Sequence, residues 1–204
     1  MPGGLPAVLA RAQGQGLLGP GPVDEQIEHA RRLADLIGPP PPSFLDLGSG
    51  AGIPGLVLAE TWPATTAVLL DSGHRRGEHL RSAAAELGLG DRVVVVVARA
   101  EDAAHDPEWR GGLPLVVARG FGPPAVTAEC GVGFLEVGGA LVVSEPPGGA
   151  PGRWDEAGLD RLGLDRPELR TGGGASIARL ALRRAPGPEW PRRTGVPARR
   201  PLWR

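Results

Sequence analysis

The chain has 204 residues, enough for one domain with a complete hydrophobic core, and its 41% hydrophobic and 22% charged residues are typical of a globular protein. No apolar run has the length of a membrane span, and a single cysteine excludes an internal disulfide framework. Since the first residues also lack the pattern of a signal peptide, we expect a cytoplasmic protein without a membrane partner.

The net charge of -1 hides an asymmetry along the chain. Residues 179–204 contain eight arginines and one glutamate, a balance of +7. Residues 1–178 contain fourteen arginines and twenty-two acidic residues, a balance of -8. The end of the chain is therefore its only strongly basic region.

Two segments precede the predicted main domain. Residues 1–22 are rich in glycine and proline, and we expect them to form a flexible, poorly ordered N-terminus. From Val23 to Ile37 apolar residues recur at helical spacing, and Gly38 with the prolines after it ends the pattern. The sequence therefore predicts an N-terminal helix within residues 23–38.

Strand and helix patterns then alternate. The expected strands are residues 43–47, 67–71, 93–97, 113–118 and 140–144, and the expected helices lie after the first strand and at 74–87 and 124–136, with a further helix near 155–163 and a strand near 175–183. Such alternation predicts an α/β fold, a doubly wound, mostly parallel sheet. We assign residues 43–185 to this domain and 186–204 to a basic tail rich in proline and arginine. Since the third strand is a run of five valines, we expect it to be buried on both faces.

The most informative motif follows the first strand, where Asp46 precedes Gly48, Gly50 and Gly52. Glycines at this spacing, at the entry to a helix, predict a tight turn whose backbone can lie against a ligand. The second strand ends at Asp71, 19 residues beyond Gly52, where a carboxylate can accept hydrogen bonds from a ribose diol. Together these residues predict a cofactor that contains a nucleoside.

The glycine spacing also satisfies the dinucleotide-binding pattern, so the glycines alone do not exclude NAD. Asp46 would repel a pyrophosphate but can face an ammonium group. Pro54 removes a backbone N–H from the first helical turn, where a diphosphate needs donors. Both residues favour a zwitterionic cofactor, S-adenosylmethionine.

Cysteine and histidine offer no metal site. Cys130 lies within a predicted apolar helix and is interpreted as a packed core thiol rather than a nucleophile. The histidines at positions 29, 74, 79 and 105 lack metal-ligand spacing, so we expect them at the surface and expect no metal.

Five segments match, in order, the motifs of a known family. They are Asp46–Gly55, Leu70–Ser72 with Arg75 and Arg76, Arg99–Asp102, Ala118–Phe121 and Pro191–Leu202. Together they resemble the bacterial methyltransferases of guanine N7 in small-subunit (16S) ribosomal RNA, historically called the glucose-inhibited division protein B family.

The resemblance implies a class I S-adenosylmethionine-dependent methyltransferase that acts on 16S rRNA or the small-subunit ribonucleoprotein. The family's binding positions fall on Gly48 and Ile53, on Ala100 and Glu101, and on Arg119. With the residues argued above, the expected cofactor-binding set is Asp46, Gly48, Gly50, Gly52, Ile53, Asp71, Ala100, Glu101 and Arg119. No catalytic residue is assigned, because guanine N7 has a free in-plane lone pair and needs no general base.

Two departures leave a second function open, and one is a short N-terminal region that lacks the longer helical segment common in the family. Family members usually carry a Lys-Gly pair after the fifth strand, where this chain has Ser144 and Glu145. A carboxylate in place of a cation is unfavourable beside a polyanionic substrate. The alternative is a class I methyltransferase paralogue that acts on a small molecule.

The basic tail is the expected RNA-docking element, separate from the cofactor site. Its prolines favour an extended chain, and the arginines expected to contact RNA phosphates are Arg192, Arg193, Arg199 and Arg200. Trp190 and Trp203 could stack on exposed bases. In the alternative interpretation, these tryptophans fold back onto the domain as a clasp.

Overall fold

A seven-stranded sheet organises the computed structural model, which describes residues 3–147 and 151–204. In chain order the elements are α1 (Leu5–Gly14), α2 (Val23–Ile37), β1 (Ser43–Leu47), α3 (Gly55–Thr61), β2 (Thr66–Asp71), α4 (His74–Glu86), β3 (Val93–Val97), α5 (Ala100–Ala103), β4 (Leu113–Ala118), α6 (Pro124–Val132), β5 (Leu135–Ser144), a 3₁₀ turn (Pro151–Arg153), α7 (Glu156–Leu162), β6 (Glu168–Gly172), β7 (Ala175–Ala181) and α8 (Val196–Arg199). None of the helices in these two ranges is long and apolar enough to cross a membrane.

The strand order is β3-β2-β1-β4-β5-β7-β6. Strands β1 to β5 are parallel, whereas β7 runs antiparallel to both β5 and β6. The order reverses between β1 and β4, which is the position where doubly wound sheets bind ligands beyond the carboxyl ends of their strands. The predicted α/β, doubly wound, mostly parallel sheet is confirmed.

Two hydrophobic clusters cover the two faces of the sheet. Along β1, Phe44 enters the cluster that includes α1 to α4, whereas Leu45 and Leu47 enter the cluster that includes α5 to α7. This alternation is the two-residue period of a strand. Phe44 packs edge-on against Trp62, with ring centroids 5.6 Å apart. Packing therefore fixes both faces of β1, and with them the position of the glycine loop that follows this strand.

The N-terminal segment differs from its expectation. Residues 1–22 were expected to be poorly ordered, but helix α1 occupies Leu5–Gly14 and buries Leu5, Val8, Leu9 and Ala12. These four residues follow the helical spacing of an amphipathic helix, and the surrounding glycines and prolines obscured that signal. Arg11 forms an ion pair with Glu86 of α4, which adds a polar contact between α1 and the domain.

The third strand also differs. The prediction that its five valines are buried on both faces is wrong, because β3 is the edge of the sheet and Val94 is 43% exposed. Strand β6 was not predicted, since its polar residues lack an apolar run. Strand β5 begins at Leu135, five residues earlier than expected, and α6 ends correspondingly earlier, at Val132.

Candidate active site

A cavity of about 210 Å³ opens at the carboxyl edge of the sheet, beside the reversal of strand order. The turns after β1, β2, β3 and β4 form its wall. The lining residues are Gly48, Leu70, Asp71, Ser72, Arg76, Ala98, Arg99, Ala100, Glu101, Gly120 and Phe121. The cavity is thus built by backbone turns that the parallel sheet brings to one place.

The glycine loop lies against the end of β2. The N–H groups of Gly48 and Ser49 both donate to the carbonyl of Leu70, each at 2.9 Å. Gly48 has a φ of +76°, and a Cβ added there would lie 2.6 Å from the ring of Phe121. Glycine is therefore required at this position both for the backbone conformation and for the approach of the aromatic ring.

Asp71 connects this loop to the start of α4. Its Oδ2 accepts the N–H of Gly50 at 2.9 Å, and its Oδ1 accepts the N–H of Gly73 at 2.8 Å. The residue is 5% exposed and lines the cavity. Because a carboxylate has about four acceptor positions, Asp71 retains capacity for donors from a bound ligand.

Glu101 lies across the cavity, in the first turn of α5. Its Oε1 accepts the backbone N–H of Gly195 at 2.8 Å and a hydrogen bond from Arg99 at 3.2 Å. Its Oε2 is buried and has no hydrogen-bond partner in the described part of the chain. Burial opposes ionisation of Glu101, but these hydrogen bonds and the charge of Arg99 hold its pKa below the usual value. Glu101 is therefore an ionised carboxylate at the cavity, with one buried oxygen that has no partner in the described part of the chain.

Asp46 lies below the glycine loop rather than in the cavity wall. Its Oδ2 accepts the N–H of Gly55 at 2.9 Å, while Oδ1 has no partner within residues 3–147 and 151–204. Burial raises the pKa of Asp46 to about 7, even though the Gly55 hydrogen bond favours the ionised form. This residue positions the start of α3, and its second oxygen is free to bind a donor.

Arg119 follows β4 and is half-buried. Burial lowers its pKa, and the neighbouring carboxylate of Asp46 opposes that shift. Its guanidinium makes no hydrogen bond or ion pair with the residues that the structure describes, which leaves a partly desolvated cation beside the cavity.

The predicted cofactor residues therefore fall into two groups. Gly48, Asp71, Ala100 and Glu101 line the cavity. The others surround it: Asp46, Gly50, Gly52, Ile53 and Arg119. Gly52 has a φ of +102° and lies against Leu56, so its role is to form the turn.

Sequence reasoning did not include Phe121, Arg76 and Arg99 in the site, although all three line the cavity. Their positions in the turns after β4, β2 and β3 are the signal that could have identified them.

Glu145, the departure after β5, does not present a free carboxylate. Its side chain is fully buried, Arg153 donates to Oε2 at 2.6 Å, and the indole N–H of Trp154 donates to Oε1 at 3.1 Å. The negative charge is therefore neutralised within the protein. The electrostatic objection to a polyanionic substrate does not apply to a carboxylate in this environment.

The basic tail packs onto the domain, so the expectation of an extended, separate tail is wrong. Trp190 is 5% exposed, and Arg110 donates to its carbonyl at 2.9 Å. The indole N–H of Trp203 donates to the carbonyl of Arg153 at 2.9 Å, and its ring lies against Gly158. Both tryptophans thus form the clasp of the alternative interpretation.

The four tail arginines have different environments. Arg192 forms a two-pronged ion pair with the fully buried Glu129, Nε to Oε1 at 2.7 Å and Nη2 to Oε2 at 2.6 Å. Arg193, Arg199 and Arg200 are exposed. Arg192 is therefore a structural residue, and the other three are available to a partner.

Cysteine and histidine have structural contacts. Cys130 is buried in α6, and this burial raises its pKa, which agrees with a core thiol. As expected, His74 and His105 are exposed, and His105 lies 2.7 Å from the Pro191 carbonyl. The surface expectation is wrong for His29 and His79, which are half-buried, and His79 lies 3.1 Å from the Ala51 carbonyl. Within the described ranges, no group of acidic, histidine or cysteine side chains is arranged to hold a metal ion.

The raised pKa of Asp46 predicts a pH-dependent stability. Its folded pKa of about 7 exceeds the unfolded value near 3.8, so the folded state binds the extra proton and is favoured at low pH. The folding free energy contributed by protonated Asp46 should be complete below pH 4. It should decrease by up to about 4 kcal/mol as the pH rises to 7. In urea unfolding, wild type should lose stability relative to Asp46→Asn over this range. A constant difference between the two would contradict the assignment.

Comparison with known proteins agrees with this architecture. The sequence model of the GidB family, described as rRNA small subunit methyltransferase G, matches residues 28–145. A relative of that name from Moorella thermoacetica is 34% identical over 172 residues, covering 80% of this chain and 71% of the relative. Another from Deinococcus radiodurans is 37% identical over 166 residues, covering 78% and 65%.

Solved structures are similar at the level of the fold. A SAM-dependent O-methyltransferase from Thermotoga maritima has a TM-score of 0.57 at 14% identity, covering 88% of this chain and 72% of the other. A T. thermophilus 16S rRNA N2 G1207 methyltransferase, solved with AdoMet and guanosine, has a TM-score of 0.52 at 20% identity, covering 78% and 40%. With the family match over more than half of its length, the chain belongs to the rRNA small subunit methyltransferase G family.

Proposed function

We propose that the protein transfers the methyl group of S-adenosylmethionine to N7 of a guanine in 16S rRNA. The observation that carries this proposal is the cavity itself, where Asp71 and the glycine loop face Glu101 at the reversal of strand order. Family membership supports the small-subunit rRNA as substrate. Such a substrate supports a cytoplasmic location, where ribosomal subunits are modified.

The residues present fit this cofactor. Asp71 has free acceptor capacity for ribose hydroxyls, and the small side chain of Ala100 leaves space beside it for a flat base. Two buried carboxylate oxygens lack protein partners in the described ranges, Oδ1 of Asp46 and Oε2 of Glu101. Buried acceptors of this kind are normally satisfied, so the one on Glu101, which lines the cavity, indicates where a donor of a ligand belongs. The adenine amine of S-adenosylmethionine is such a donor, whereas Asp46 lies beneath the glycine loop and outside the cavity wall.

The chemistry requires positioning rather than proton transfer. When bound, S-adenosylmethionine supplies an electrophilic methyl group on a sulfonium. Because guanine N7 already carries a free lone pair, no side chain has to remove a proton. The residues around the cavity must hold the two partners in line and exclude water. The unpaired guanidinium of Arg119 lies beside this cavity and is suited to an anionic group of either partner.

The RNA-contacting set is narrower than the sequence suggested. Arg192 is occupied by Glu129, so we assign RNA contacts in the tail to Arg193, Arg199 and Arg200. Arg76 and Arg99 also line the cavity and are half-exposed, but each is paired with a cavity carboxylate, Arg76 with Asp71 and Arg99 with Glu101. The small-molecule alternative rested in part on Glu145, and the pairing of that residue with Arg153 removes this part of its support.

Direct assay of the product tests the proposed reaction. Labelled S-adenosylmethionine and 16S rRNA, or small subunits, from a strain that lacks the family's enzyme should yield labelled 7-methylguanosine after nuclease digestion. Mass spectrometry identifies the modified base. Label in a different base or atom, or no label in RNA, would contradict the proposal.

Asp71 provides a matched test of the cofactor site. Asp71→Ala should weaken binding of S-adenosylhomocysteine by about 1–3 kcal/mol, since hydrogen bonds to a charged group are lost. The control is Asp91→Ala, which removes an exposed carboxylate outside the cavity. Calorimetry measures both affinities. Equal affinities for wild type and Asp71→Ala would remove this residue from the site.

Salt dependence tests the tail. Replacing Arg193, Arg199 and Arg200 by alanine should flatten the slope of log RNA affinity against log salt by about 2–3 units, because up to three phosphate contacts are lost.

A charge-matched control replaces three arginines of α1 and α2, which pack on the other face of the sheet from the tail. These are Arg11, Arg31 and Arg32. Filter binding over a salt series measures the slopes. If both triple variants change the slope equally, the effect is net charge rather than contact.

A further inference from the structure

The Glu101 carboxylate belongs at once to the cavity and to the contact with the tail. The residue is 2% exposed and lines the cavity. One oxygen accepts the Gly195 N–H at 2.8 Å, and the other is buried without a partner in the described part of the protein. The side chain therefore has one oxygen bound to the tail and one buried oxygen that a small rotation would bring to the cavity.

A second contact holds the same part of the tail. The hydroxyl of Thr194 donates to the carboxylate of Asp102, the residue after Glu101 in α5. Gly195 has a φ of +77° and precedes the short helix α8, and its carbonyl accepts a hydrogen bond from the Arg199 side chain at 3.2 Å. The first turn of α5 thus holds the start of the segment 193–200, which carries the three exposed arginines, whereas its end is held by Arg192, which donates to the Arg200 carbonyl at 2.8 Å.

The remainder of the tail is anchored independently. Arg192 is held by Glu129, and the Trp190 carbonyl by Arg110. Trp203 is attached to the 3₁₀ turn through the carbonyl of Arg153. These anchors make no use of Glu101, and one of them reaches into residues 193–200, because Arg192 also donates to the Arg200 carbonyl at 2.8 Å. A change at Glu101 therefore acts on this segment and not on the whole tail.

We propose that Glu101 is a positioning residue that couples cofactor binding to the position of residues 193–200, and so to RNA docking. The identity of the partner as RNA rests on the proposed function, but the coupling does not. A buried acceptor without a partner is unfavourable, and rotation of the carboxylate toward water relieves this at the expense of the Gly195 hydrogen bond. A ligand donor on Oε2 removes the reason to rotate, and the second oxygen is then fixed toward Gly195.

The coupling is reciprocal, as thermodynamic linkage requires. A cofactor that fixes Glu101 stabilises the 193–200 segment, and a partner that holds this segment in place strengthens cofactor binding by the same factor. The three arginines are then best placed for RNA when the methyl donor is already bound. Protein without cofactor then binds RNA less tightly than protein with cofactor, so RNA is bound mainly when a methyl group is available for transfer.

Hydrogen exchange of the full chain, with and without saturating S-adenosylhomocysteine, tests the coupling without RNA. In wild type, the ligand should slow exchange of the amides in residues 193–200 by about fivefold or more, the lower end of typical coupling. The Trp190 amide, which donates to the Gly187 carbonyl, should not respond. Unchanged exchange in residues 193–200 would overturn the proposal.

Two variants separate coupling from simple loosening of the tail. Glu101→Gln keeps an acceptor for Gly195 but replaces the free oxygen by an amide donor, so S-adenosylhomocysteine, saturating by calorimetry, should no longer slow exchange. Thr194→Ala removes the other tether yet should keep the response. Equal slowing in Glu101→Gln and wild type would overturn the proposal. If Glu101→Gln does not fold, Glu101→Asp replaces it and should reduce the response.

The two proposals fail separately. Slowed exchange in a protein that methylates no rRNA would overturn the proposed function and leave the coupling intact. If the protein methylates rRNA but the ligand does not change amide exchange in residues 193–200, only the coupling is overturned.

Discussion

The hydrogen bonds that Asp71 accepts from Gly50 and Gly73 are the interaction on which the site depends. They join the loop after β1 to the turn after β2, while the Leu70 carbonyl accepts two further N–H groups of that loop. With these contacts the loop is rigid before any ligand arrives, and a preformed site loses less conformational freedom on binding. Asp71 thus both holds the glycine loop in place and lines the cavity. A residue that could only contact a ligand would not hold the loop.

Buried carboxylates and arginines organise the rest of the domain around this site. Glu129 pairs with Arg192, Glu145 with Arg153, and Glu101 with Arg99. Removal of the arginine would leave a buried carboxylate without its cation, which destabilises the fold, although the arginines themselves are partly exposed. One positive charge of the basic tail, that of Arg192, is therefore neutralised by a carboxylate of the domain, and the other tail arginines are available to a nucleic acid.

The sequence alone was sufficient to predict those parts of the fold and the site that depend on residues close together in the chain. The strand before the glycine loop, the loop and Asp71 are set by periodicity and spacing within about 30 residues. It was insufficient where contacts are distant. Nothing near Arg192 indicates Glu129, 63 residues away, and nothing in five valines says that β3 is an edge. The same limit applies to Asp46: its sequence position suggested the cavity, whereas the geometry of the turn places it beneath the loop.

The pair formed by Glu129 and Arg192 has a consequence for how such a chain changes over time. A lysine in place of the arginine has a single ammonium and cannot reproduce the parallel hydrogen bonds to both carboxylate oxygens. A neutral residue at position 192 leaves the fully buried charge of Glu129 without its cation. The two positions, 63 residues apart, are therefore physically coupled, and a change of charge at Glu129 or Arg192 calls for a matching change at the other.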